Sequence, residues 1–83
     1  MTMRYRLDIR PSAKRDFDRL SPDVAKRIVR KLESLRNNLG GDVKRLVSYS
    51  IGYRLRVGDW RVLFDVQGPL IIVRAVRHRS EAY

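Results

Sequence analysis

Tyr53-Arg54-Leu55-Arg56-Val57-Gly58-Asp59-Trp60-Arg61-Val62-Leu63-Phe64-Asp65-Val66-Gln67-Gly68-Pro69-Leu70 decides the fold. Tyr53 to Val57 alternates apolar and charged residues, the period of a half-buried strand. Gly58-Asp59 is a two-residue turn signal, and Trp60 to Val66 reads as the next strand. Gln67-Gly68-Pro69 turns the chain again, and Leu70 to about Arg79 is a third strand. Such short connections between apolar runs predict antiparallel hairpins. Alternation then assigns faces. With Leu55, Val57, Val62, Phe64 and Val66 inward, Arg54, Arg56, Arg61, Leu63 and Asp65 point the other way. On the last strand Arg77 and Arg79 share a face and His78 takes the opposite one. Arg74 falls on the inward side, which suits a charge badly. A bulge near residues 74–75, or snorkelling at the sheet edge, relieves it.

Upstream, Arg4 to Arg10 alternates strictly and predicts a strand with Tyr5, Leu7 and Ile9 inward. Pro11 ends it. A short helix follows, with Ala13, Phe17 and Leu20 on one face. Ser21-Pro22-Asp23 is a helix start: a capping hydroxyl, a proline at the first helical position and an acid in the first turn. Val24, Ile28, Leu32, Leu35 and Leu39 then recur at helical spacing, and Gly40-Gly41 is the stop signal. Lys26, Arg27, Arg30 and Lys31 lie on the outer face, as solvated charge or as long-range steering toward a polyanion. The expected architecture is α+β, in the order β-α-α-β-β-β. An antiparallel sheet carries two helices packed on one face and leaves the other for function.

The 83 residues make one domain, 1–83, with a thin core. With no cysteine and a single histidine, His78, disulfides and thiolate sites are excluded and no metal site or cofactor is expected. No apolar run approaches a membrane span, and Met1-Thr2-Met3-Arg4 has no secretory apolar region, so a cytoplasmic protein without membrane partners is expected. Charge is the informative quantity. Nineteen Lys and Arg face nine Asp and Glu, for a net charge of +10, and fifteen of the nineteen are Arg. Arginine is the residue of planar, bidentate phosphate recognition. Arg54, Arg56, Arg61, Arg77 and Arg79 on one open face repel one another in the folded chain, and a polyanion relieves that repulsion. RNA is the expected polyanion. Tyr5, Phe17 and Phe64 read as core. Tyr53 and Trp60 flank the hairpin, where they pack or stack on a base.

The block Tyr53-Arg54-Leu55-Arg56-Val57-Gly58-Asp59-Trp60-Arg61-Val62-Leu63-Phe64, followed by Val76-Arg77-His78-Arg79-Ser80-Glu81-Ala82-Tyr83, resembles the RelE branch of the RelE/ParE toxin superfamily. The resemblance covers nearly the whole chain. It implies the toxin of a type II toxin–antitoxin system, an mRNA interferase that cuts mRNA in the A site of the 70S ribosome. The implied reaction is a metal-independent transesterification: the ribose 2′-oxygen attacks the adjacent phosphorus. It leaves a 2′,3′-cyclic phosphate and a 5′-OH. Arg61 and Arg77 match the family's phosphate-stabilising arginines. Arg54 and Arg56 stand where some relatives carry active-site lysines, and Arg79 is a neighbouring phosphate contact. Tyr83 matches the tyrosine assigned to proton transfer or base stacking, and surrounding arginines favour its phenolate. Arginine at positions 54 and 56 does not deprotonate, so the proton falls to Tyr83 or else to His78.

The implied partner is a cognate antitoxin with an acidic, partly disordered segment that folds on the basic surface. Two other functions fit the same charge. A ParE-like toxin of this fold inhibits DNA gyrase and does not require the terminal Arg and Tyr cluster. A nucleic-acid-binding module uses the basic face without chemistry.

Overall fold

The computed structural model describes residues 5–37, 43–46 and 52–81. Its elements run β1 (Arg6–Ile9), α1 (Pro11–Asp18), α2 (Pro22–Leu35), β2 (Val43–Arg45), β3 (Tyr53–Val57), β4 (Trp60–Gln67) and β5 (Leu70–His78). The sheet order is β1-β5-β4-β3-β2. Pairing is antiparallel from β2 through β5, and β1 joins β5 in parallel. The expected α+β arrangement is therefore present, with two details added. The parallel edge is one. The other is β2, whose three residues are too few to show a period.

The turns fix the register. Gly58 adopts φ 59° and Gly68 φ 58°, while no other described residue type has positive φ. A glycine at the first central position followed by negative φ is the sign pattern of a II′ turn. Val57 is thereby paired with Trp60, and Gln67 with Leu70. One irregularity interrupts β4 and β5: Leu63 pairs with Ala75, but Phe64 pairs with Val73. Arg74 is the extra residue. The bulge, rather than snorkelling, answers the charge that alternation had turned inward. Arg74 instead meets Asp65, Nε to Oδ2 at 3.0 Å, and Asp65 Oδ1 accepts from the Gly52 amide at 2.7 Å.

The core lies between helices and sheet. Ala13, Ile28, Leu32 and Leu35 meet Leu55, Val57, Val62, Phe64, Ile71, Val73 and Val76. Phe64 is fully buried and stacks on Tyr53 with ring centroids 5.4 Å apart. Helix α2 starts as its sequence dictates, Ser21 Oγ accepting from the Val24 amide at 3.4 Å. It ends earlier than its apolar period suggests. Arg36 is the C-cap, because its carbonyl accepts from Tyr5 N at 2.9 Å and its Nε donates to Tyr5 O at 3.2 Å. The helix end is thus docked on the entry to β1. Leu39 and Gly40-Gly41 lie outside the described residues.

Helix α1 solves an edge problem. β1 covers only Leu70–Val73 of β5, and an exposed edge offers unpaired backbone groups. Beyond that point Arg10 N donates to Val73 O at 3.0 Å. Ser12 Oγ donates to Arg74 O at 2.7 Å, and Val76 N donates to Asp16 Oδ2 at 2.9 Å. Side chains of α1 take over the role that β1 gives up.

Candidate nucleic-acid interface

On the face opposite the helices, cross-strand pairing sets Arg56 beside Arg61 and Arg61 beside Arg77. Neighbouring strands lie about 4.8 Å apart, so the three side chains leave the sheet within about 10 Å of one another. The next row reads Lys44, Arg54, Leu63, Ala75. The expected sharing of a face by Arg54, Arg56, Arg61 and Arg77 is thus seen in the register.

This face is not bare. Leu63 is 3% exposed, and Ile72 and Ala75 are each 7% exposed, although all three point away from the helices. Their same-face neighbours include Arg54, Arg61, Arg74 and Arg77, each partly buried. Long arginine stems cover apolar surface while their charged ends reach water. The second face is therefore an apolar floor under a basic layer. Leu63 faces outward, as alternation predicts, yet is shielded from solvent.

The guanidinium groups are held from one end. Arg61 Nη1 donates to Gly58 O at 2.8 Å and to Trp60 O at 2.9 Å. Arg77 Nη1 donates to Asp16 Oδ2 and, at 3.1 Å, to Val76 O. Arg77 reaches round the edge of β5 to do so, since Asp16 belongs to α1. A guanidinium carries five N–H donors, so an anchor at one Nη orders the side chain and leaves capacity for a phosphate.

Arg79 lies just past the last residue of β5, His78, and its backbone continues the pairing toward Asp59. Its amide donates to Asp59 O at 2.7 Å, and its exposed Nε lies 3.7 Å from Asp59 Oδ1. It is fastened to the β3–β4 turn. His78 is on the helix side, paired with Trp60, and the two rings meet edge to face at 5.2 Å. His78 Nδ1 lies 2.9 Å from Ser80 Oγ and 3.3 Å from the Ser80 amide. Tyr83 lies outside the described residues.

Sequence reasoning missed two features near the row. Arg27 of α2, read as outer-face charge, reaches the β3–β4 turn: a Cβ added at Gly58 would meet its Nη2 at 2.9 Å. Asp16 is the other. Ser12 and Asp16 sit four apart on one helix face, which the sequence does carry. The edge that makes them matter exists only in the folded sheet.

Comparison with known proteins decides the family. A family model for the ParE toxin of the type II toxin–antitoxin system parDE matches residues 7–83. Toxin RelE3 of Methanocaldococcus jannaschii is 34% identical over 74 residues, covering 83% of this chain and 84% of that protein. The chain belongs to the RelE/ParE toxin superfamily. Within this superfamily it is closely related to RelE-type toxins. The RelB-RelE antitoxin–toxin complex from Methanococcus jannaschii is similar in structure, with a TM-score of 0.75 and 32% identity over 90% of this chain and 93% of that one. An archaeal RelE-RelB complex from Pyrococcus horikoshii OT3 shares the fold, with a TM-score of 0.80 at 24% identity, covering 96% and 100% of the two chains. Among the described residues, no helix of this RelE/ParE-type toxin is long and apolar enough to cross a membrane.

Proposed function

We propose that this toxin is a ribosome-dependent mRNA endoribonuclease, acting in the cytoplasm and neutralised by a cognate antitoxin with an acidic segment. The row Arg56, Arg61, Arg77 carries the reading. Transesterification places growing negative charge on the phosphoryl oxygens, and fixed cations on a rigid sheet stabilise it without reorganising. The 2′-oxygen bonds to phosphorus and gives up its proton. The bond from phosphorus to the 5′-oxygen breaks, and that oxygen takes a proton. In this scheme Arg61 and Arg77 hold the phosphoryl oxygens, Arg54 and Arg56 extend the cationic surface, and Arg79 contacts a neighbouring phosphate. Tyr83 transfers the protons. His78 is set aside for that role because it faces the helix side beside Trp60.

A second reading has its own support, since the matching family model is described as a ParE toxin. On that reading the chain inhibits DNA gyrase and cuts nothing. One comparison separates the two. The protein is added to translating 70S ribosomes and mRNA 5′ ends are mapped, and in parallel gyrase supercoiling is measured. A-site cuts that disappear with Arg61→Ala or Arg77→Ala support the endoribonuclease. Gyrase inhibition with intact mRNA replaces it with the ParE-like reading. Neither effect, with RNA still bound, leaves a binding module.

A further inference from the structure

A pocket of about 340 Å³ opens round the sheet edge from the arginine row, lined by Asp16, Arg19, Leu20, Trp60, Arg77 and Glu81 among others. We propose that it is a nucleotide subsite, with a base stacked on the Trp60 indole and its phosphate between Arg19 and Arg77. The inference rests on the proposed function for its ligand class, single-stranded RNA.

Size comes first. The volume is at the small end of ligand sites, right for one base-sized group and too small for a peptide helix. Chemistry comes second. Trp60 is only half-buried, although it is the largest side chain of the hairpin and presents a sequence-tolerant stacking surface. Leu20 adds apolar wall. Arg19 and Arg77 supply the cationic side, and Arg77 is shared with the open face. A strand whose phosphate rests on Arg77 therefore delivers its adjacent base to this pocket.

The carboxylates set a preference. Asp16 Oδ2 is engaged by Val76 N and Arg77, and in this proposal the exposed Glu81 of the pocket wall reads the base edge. An ionised carboxylate only accepts hydrogen bonds. Guanine offers two adjacent donors, N1–H and N2–H, to its two oxygens. Uracil offers one N–H flanked by two carbonyl oxygens that repel it. Guanine is the favoured base.

Trp60 is the single tryptophan of the chain, so its fluorescence reports this pocket directly. The full chain is titrated at low salt with GMP, UMP and inorganic phosphate. The expected result is saturable quenching by GMP, about tenfold tighter than by UMP from the added charged hydrogen bond, and none by phosphate. Arg19→Ala should weaken GMP about tenfold at unchanged melting temperature, and Glu81→Gln should erase the base preference. No quenching by GMP, equal quenching by UMP, or undiminished quenching in Arg19→Ala would overturn the proposal. The assay involves no ribosome and no cleavage. mRNA cuts without quenching remove the subsite and leave the endoribonuclease, whereas quenching without cuts does the reverse.

Discussion

Replacing Asp16 with alanine removes one oxygen that serves two donors, the Val76 amide at 2.9 Å and Arg77 Nη1. The Asp16 side chain is 16% exposed, and Val76 is 4% exposed, so water does not readily replace the lost acceptor. A buried amide left unpaired costs about 1–3 kcal/mol. The Arg77 side chain is 42% exposed, and the ion pair is screened accordingly, adding about 1 kcal/mol at most. The sum is about 1–4 kcal/mol, a sizeable share of the roughly 4–12 kcal/mol available to a domain of this length. At about 4–8 °C per kcal/mol, the melting temperature should fall by roughly 4–30 °C. Asp16→Asn keeps a carbonyl for the Val76 amide and loses only the charge, so its fall should be less than about 8 °C. Circular dichroism on heating, with urea titration as the second measure, reads both. A loss under about 4 °C for Asp16→Ala, or equal losses for Ala and Asn, would refute the claim that α1 secures the edge of β5.

The two II′ turns make a matched pair. Gly58→Ala and Gly68→Ala both force alanine to φ near 58–59°, at about 1–2 kcal/mol each. Gly58→Ala also meets Arg27 Nη2 at 2.9 Å, while nothing lies within 4 Å at Gly68. Thermal unfolding should show the larger loss at Gly58, and the Arg27→Ala background should remove the difference. Single-stranded RNA affinity should fall with salt. Arg56→Ala and Arg61→Ala should each reduce the slope of log K against log salt by about 0.7. Lys26→Ala, on the exposed side of α2, should leave that slope unchanged.

Some of this architecture was legible in the sequence for a physical reason. Gly58-Asp59 and Gly68-Pro69 close two-residue turns, and a two-residue turn fixes register, which then fixes faces. Arg56, Arg61 and Arg77 therefore fall on one face by alternation alone, and Arg74 betrays a bulge by standing on the wrong side. Helix α2 was visible because its apolar period is long. What stayed hidden depends on contacts distant in sequence. The parallel pairing of Arg6–Ile9 with Leu70–Val73 leaves no local mark. The end of α2 at Arg36 is set by Tyr5, not by a breaker. The fastening of Arg79 to Asp59 likewise joins residues twenty apart. Alternation gives Leu63 its face, but its shielding depends on arginine stems from three strands.

Single-turnover cleavage of ribosome-bound mRNA at saturating toxin tests the central claim most directly, since it isolates the chemical step from binding. The arginine row predicts that Arg61→Ala and Arg77→Ala each lower the rate constant by about 10²–10³. Gln67→Ala, at the far end of the same face beside Leu70, should leave it unchanged. Wild-type rate constants in both arginine variants would contradict the account.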